Sequence, residues 1–233
     1  MTVTVTLTKQ PELYLEADQI TPDVFAGKTL DEIGAIFISE GKVKYPLSEF
    51  ATIEGAAGET AADTKIVLKG DWTKVKRIGQ QMTAGEIVID SDADMYIGGW
   101  MKGGKLTVNG NVDSFCGIAM AGGELVVNGN AQNHVGSAYR GDWRGMTGGT
   151  LRVKGNVGND IGTFMRGGTI IVEGDAFIHV LTHGEGGTII VKGNIEGRVG
   201  GQAVKGDVYV NGKIDFMMPG FAYVDDVECE VDG

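Results

Sequence analysis

Apolar and polar residues alternate in short runs that recur along most of this chain. Leu106 and Val108 return as Leu125 and Val127, Leu151 and Val153, Ile170 and Val172, and Ile189 and Val191. Thr107, Val126, Arg152, Ile171 and Ile190 stand between the members of each pair. Alternation of this kind describes a strand with one buried face. Each run opens on a glycine pair whose second member falls at Gly85, Gly104, Gly123, Gly149, Gly168 and Gly187, and a lone Gly206 keeps the phase. The step is 19 residues, except for one step of 26 between Gly123 and Gly149. A degenerate copy starts near Thr64. A fixed short period signals stacked repeats.

Parallel strands usually need a crossover of about a dozen residues or more. Here the return path is part of the repeat, so successive coils stack directly. The pattern predicts an all-β protein: a parallel β-helix, or solenoid, of about eight coils over residues 63–214. The crossover rule makes it right-handed. Coils about 4.8 Å apart give a rod about 38 Å long.

Equivalent residues must form columns. One is Gly70, Gly110, Gly129, Gly155, Gly174, Gly193 and Gly212, with Ser91 the exception, and its neighbour is Asp71, Asp92, Asn111, Asn130, Asn156, Asp175 and Asn194. Gly-Asn at each corner predicts left-handed backbone there. Met82, Met101, Met120, Met146 and Met165 form a third column. Ile97, Cys116, Val135, Ile161, Val180 and Val199 read as lumen, which makes Cys116 a small buried hydrophobe; the alternative is a reactive thiol.

Residues 1–62 lie outside the repeat. Val3, Val5 and Leu7 alternate with threonines as an edge strand would. Thr21-Pro22-Asp23 opens a short helix, and Thr29 with Glu32 forms a capping-box pattern. Ile36 to Ile38 reads as a short strand before a turn at Glu40-Gly41-Lys42. A solenoid exposes apolar lumen at its ends, so 1–62 is expected to be a small α+β cap and docking segment. Residues 215–233 are expected to be a C-terminal tail.

Composition changes this picture in few places. Glycine is 39 of 233 residues, against a usual share of about 7%. With 42% hydrophobic residues and no collagen period, that is the corner glycine of a folded solenoid. The net charge of −11 argues against nucleic acid and anionic membrane surfaces as partners. No signal-peptide pattern or membrane-spanning apolar run is present. Two cysteines, Cys116 and Cys229, make no disulfide framework, so a cytoplasmic setting is expected.

The segment ITPDVFAGKTLDEI (Ile20 to Ile33), the 19-residue copies of GG-x-L-x-V-x-GN, and the insertion YRGDWRGM (Tyr139 to Met146) together resemble the C subunit of formylmethanofuran dehydrogenase. The C subunit of the formyltransferase/hydrolase complex of methylotrophs is a close relative. The glycine repeat alone is also similar to a domain of glutamate synthase. The resemblance implies a scaffold protein without catalytic residues or a cofactor of its own, packed on an amidohydrolase-like subunit. It implies a complex that reduces CO2 and fixes it on methanofuran, the first step of methanogenesis. Tungsten- or molybdenum-pterin, iron–sulfur clusters and a two-metal amidohydrolase site would belong to the other subunits.

The residues offer little chemistry of their own. Iron–sulfur ligation needs clustered cysteines, which are absent from the sequence. No glycine follows a strand and opens a helix, so no nucleotide loop is indicated. One column reads Tyr96, Phe115, His134, Asp160, His179 and Arg198, facing outward by alternation. His134, Asp160 and His179 on successive coils are the candidate metal ligands, and would suit a stand-alone solenoid enzyme. The other reading is a polar surface ladder or an interface stripe. The insertion carries Tyr139, Arg140, Trp143 and Arg144, and Trp100 lies near it on an adjacent coil. These are interface candidates, because Trp, Tyr and Arg dominate docking energies. The alternative is a loop whose tryptophan folds back over the rod. At His183 the methionine column is broken by Gly184, which suggests a loop or bulge meeting a partner.

Overall fold

A computed structural model describes residues 1–225, 230 and 231. Its main sheet has ten strands, ordered Ala51–Gly55, Thr2–Leu7, Lys65–Lys69, Glu86–Ile89, Lys102–Val108, Gly122–Val127, Thr150–Val153, Arg166–Val172, Glu185–Val191 and Lys205–Val210. All neighbours pair in parallel except the first two. Equivalent repeat residues sit side by side: Leu125 pairs with Leu106 and Leu151, and Ile170 with Leu151 and Ile189. The protein is a β-solenoid of about eight turns from Lys65 onward, as the period predicts. A second side runs the length of the rod through the bridges Trp72, Ala93, Val112, Ala131, Val157 and Ala176, and ends in the strands Ala176–Ile178, Ile195–Gly197 and Ile214–Phe216.

The lumen is apolar throughout. Leu106, Val108, Leu125, Val127, Leu151, Val153, Ile170 and Val172 are fully buried, as are Cys116 and the five methionines of the column. Burial with no compensating partner pushes the Cys116 thiol up to about 12, so at neutral pH it is protonated and unreactive. Cys229 lies outside the described residues.

The Gly-Asn corners differ from expectation. Gly70 has positive φ, but Gly110, Gly129, Gly155, Gly174, Gly193 and Gly212 do not. Glycine is needed there for close approach: a Cβ on Gly129 would lie 2.6 Å from the Gly110 carbonyl oxygen. The Asn/Asp column is a hydrogen-bonded ladder. The Asn111 backbone N–H donates to Asp92 Oδ1 at 2.7 Å, Asn130 to Asn111 at 2.8 Å, Asn156 to Asn130 at 2.8 Å and Asp175 to Asn156 at 2.9 Å. Side-chain carbonyls thus satisfy corner amides that no strand partner reaches.

The N-terminal segment packs at one end of the main sheet. Thr2–Leu7 is an inner strand of the main sheet, not its edge, because Ala51–Gly55 pairs on its outer side. Val3 and Val5 are accordingly fully buried. Helix Pro22–Phe25 starts at Thr21, whose hydroxyl accepts from the Val24 N–H, and Asp23 accepts from the Thr83 N–H at 2.9 Å. Helix Leu30–Gly34 has the full capping box of Thr29 and Glu32. Phe37–Glu40 and Val43–Pro46 form a hairpin that joins the rod through Leu15–Glu16 and Val75–Lys76. Leu15, Ile20, Phe25, Ile33 and Leu47 continue the core of the solenoid. The far end is different: a cleft of about 620 Å³ opens there, lined by Leu181, Val199, Val208, Ile214, Met217 and Phe221.

Candidate interaction surface

The column expected to face outward by alternation does point away from the lumen, but for another reason. Tyr96, Phe115, His134, Asp160, His179 and Arg198 all have positive φ, between 56° and 65°. They occupy a left-handed corner rather than a strand. Arg77, 19 residues before Tyr96, belongs to the same column with φ 66°. A second left-handed column follows four residues later: Gln81, Trp100, Ala119, Phe164, His183 and Gln202. Both have a sequence signal, since they keep offsets of five and one residues before Met82, Met101, Met120 and Met165, and before Gly184 and Ala203 in the last two coils; the insertion separates His134 from Met146. Arg77 and Phe164 carry no signal beyond that offset, because their columns vary in residue type.

Because coils are spaced at ring-stacking distance, neighbouring members of the first column touch in two runs, Arg77 to His134 and Asp160 to Arg198. The Arg77 guanidinium lies 4.8 Å from the Tyr96 ring centre. Tyr96 stacks on Phe115 at 5.0 Å and 12°, and Phe115 on His134 at 4.6 Å and 9°. Asp160 Oδ1 is 3.4 Å from His179 Nδ1, and His179 Nε2 is 3.2 Å from the Arg198 guanidinium. In the second column Phe164 stacks on His183 at 4.7 Å and 6°.

This geometry does not converge His134, Asp160 and His179 on a metal. The His134 ring is stacked flat on Phe115, and both nitrogens of His179 already face partners. Among the described residues no group of three or more His, Cys, Asp or Glu side chains is arranged to hold a metal ion. Burial pushes the His134 imidazole below the usual histidine range; Asp160 opposes the shift and Arg140 adds to it. The two columns hold rings, guanidinium groups and one carboxylate, so the face is equipped to stack and to pair charges.

The insertion divides into two halves with different roles. Tyr139 packs against Trp100 at 5.5 Å and Tyr96 at 6.1 Å, and Arg140 lies 5.5 Å over the Phe115 ring. Under this cover Phe115 is only 2% exposed. Backbone bonds fix both ends of the loop on the next coil: the Ala138 N–H donates to the Thr163 carbonyl at 3.0 Å and the Gly145 N–H to that of Phe164 at 2.9 Å. Trp143 touches the Phe164 ring edge-on at 6.2 Å but remains 70% exposed. Arg144 is exposed too, held by Asp142 at 3.1 Å.

At His183 there is neither loop nor bulge beyond those of the regular coils. The one-residue register shift between Arg166 and Thr169 also occurs between Gly122 and Glu124. What changes is packing. Other coils carry a left-handed glycine at this point, as at Gly98, Gly117, Gly136, Gly162 and Gly200, with the methionine three residues on in most of them. This coil has Leu181, at φ 58°, and Gly184. A Cβ on Gly184 would lie 2.6 Å from Leu181 Cγ, so the leucine fills the methionine's place. The two exchanges compensate, and His183 stays in its stack.

The fold and this face together define the class: a repeat-built parallel β-solenoid distinguished by an aromatic and arginine-rich corner. No family model matches the chain. Curated relatives of part of the chain narrow the comparison. It is 48% identical over 96 residues to the C subunit of tungsten-containing formylmethanofuran dehydrogenase 2 from Methanothermobacter thermautotrophicus, covering 41% of this chain and 36% of that one. It is 48% identical over 89 residues to the C subunit of molybdenum-containing formylmethanofuran dehydrogenase 1 from Methanosarcina barkeri, covering 38% and 30%. The chain thus spans about a third of the length of the curated relatives it matches. Its fold superposes with a TM-score of 0.84, at 25% identity, on a chain of the formyltransferase/hydrolase complex of Methylorubrum extorquens solved with methylofuran, covering 93% of this chain and 79% of that one. The chain is thus similar in sequence to C subunits of formylmethanofuran dehydrogenase and in fold to a chain of the formyltransferase/hydrolase complex. No described helix is long and apolar enough to cross a membrane.

Proposed function

We propose that this chain is a non-catalytic scaffold subunit of a formylmethanofuran dehydrogenase complex, packed on its amidohydrolase-like subunit in the cytoplasm. The observation that carries the reading is the superposition of 93% of the chain on a chain of a multi-subunit formyltransferase/hydrolase assembly. It is supported by the identity to the C subunits of both tungsten- and molybdenum-containing enzymes. The metals and iron–sulfur clusters then belong to partner proteins, and this chain supplies surface. The division into a cap over 1–62, a rod over 63–214 and a tail is part of the same proposal: cap and rod are built as one rigid support. Purification of the complex through a tag on this chain is the test. The scaffold role requires co-purification of the amidohydrolase-like subunit, and loss of assembly when this chain is omitted. It also requires the isolated chain to carry no stoichiometric metal by elemental analysis. Zinc retained by the isolated chain and lost in His134→Ala or His179→Ala would instead support an enzyme site on the ladder.

A further inference from the structure

The fold accounts for some side chains of the corner face and leaves others without a role in folding. Tyr139 and Arg140 are used, since they cover the stack of Tyr96, Phe115 and Trp100. Trp143 and Arg144 are not. A tryptophan 70% exposed, on a loop fixed at both ends, gains little from burial and loses its rotamer freedom for no folding benefit.

Charge is segregated on the same face. The sequence has six arginines, and five of them (Arg77, Arg140, Arg144, Arg166 and Arg198) lie on the two columns, on the insertion or at its foot. Three border the shallow depression beside Trp143: Arg140, Arg144 and Arg166. Among the described residues two carboxylates answer them there, Asp142 on Arg144 and Glu185 on Arg166. In a chain of net charge −11 this is a local positive spot with an aromatic residue at its centre.

We propose that the insertion is a preformed plug: Trp143 enters an apolar slot on a partner protein whose rim carries carboxylates, and Arg144, with Arg140 and Arg166 behind it, pairs with that rim. This rests on the reading of the chain as a scaffold and names the chemistry its partner must present. An exposed tryptophan beside three arginines has the composition of an interface centre. The charge complement identifies the partner surface as acidic, since arginine forms bidentate pairs with carboxylates. The fixed loop lowers the ordering cost of docking, so affinity is gained without a new contact.

The test uses the full chain and the remaining subunits of the complex, purified without it. Trp143→Ala is expected to weaken capture of those subunits roughly thirtyfold, and Trp143→Phe by less. Arg144→Glu is expected to weaken capture as well and to flatten its dependence on salt. The melting temperature of the free chain should be unchanged in all three variants. A photo-crosslinking residue at position 143 should join a partner peptide rich in Asp and Glu. Capture by wild type with no loss in Trp143→Ala would overturn the plug and leave the scaffold reading standing. No capture by wild type would overturn both. A lowered melting temperature with capture retained would overturn the plug by showing that Trp143 covers the rod. Crosslinking to a second copy of this chain would replace the proposed partner with self-association.

Discussion

The lumen and the left-handed corner face are built from the same 19-residue period, yet they obey different rules. Along the lumen the chemistry repeats with the geometry: Leu, Val, Ile and Met recur coil after coil, because each side chain must fill the space between its neighbours above and below. Along the corner only the geometry repeats. The backbone holds φ near +60° in every coil, while the side chains run from Arg77 through Tyr96, Phe115 and His134 to Asp160, His179 and Arg198. Non-glycine residues in this region cost roughly 1 kcal/mol each. The stacking of one side chain on the next offsets that cost without fixing which side chain is present. Variation in a column outside the lumen is therefore where a solenoid of fixed shape can acquire a specific surface.

Several measurements sharpen or break this contrast. The largest effect is expected in the lumen. Leu151→Ala should lower stability by about 2–5 kcal/mol, seen as a shifted urea midpoint, because both neighbours in its ladder are fixed. Arg152→Ala, one residue away and paired with Glu173 on the outer face, should stay within about 1 kcal/mol. Equal shifts for the two would contradict the facing of the strand.

The compensated coil gives the next test. Leu181→Gly empties the methionine position and should cost about 2–3 kcal/mol, the lost packing exceeding the relief of its left-handed backbone. Adding Gly184→Met restores the regular pattern and should recover most of that loss. Additive behaviour in the double-mutant cycle would show that the two positions do not share one space.

A smaller effect is expected at the amide ladder. Asn130→Ala removes the acceptor of the Asn156 N–H and should cost about 1 kcal/mol. Hydrogen exchange should then quicken at Asn156 ahead of the neighbouring coils.

The smallest effect concerns pH. His134 is held below its ordinary value of 6.5, chiefly by burial, so the folded state prefers the neutral imidazole. The stability tied to that preference is complete above 6.5 and is lost as pH falls through the lowered folded value. His134→Phe keeps a ring in the stack and removes the titration. Its melting temperature should therefore gain on wild type as pH falls from neutral, and parallel curves would refute the assignment.

What the sequence determined by itself was the period, and with it the architecture. Glycine pairs 19 residues apart and alternating Leu and Val specify strands, their parallel register and the identity of the lumen, since each depends on local pattern and even spacing. The caps at Thr21 and Thr29 were legible for the same reason, being complete within three or four residues. Tertiary structure decided the rest. A glycine can serve positive φ or close approach, and only the stacked neighbour shows that Gly129 serves approach while Gly117 has φ 61°. Thr2–Leu7 reads as an edge until Ala51–Gly55 pairs beyond it. His134, Asp160 and His179 share a column in either view, but only the structure shows His134 stacked on Phe115 and His179 between Asp160 and Arg198. The insertion was visible as seven extra residues, yet the separation of Tyr139 and Arg140, turned onto the rod, from Trp143, turned outward, arises only from contacts with residues 21 to 43 positions away in the chain.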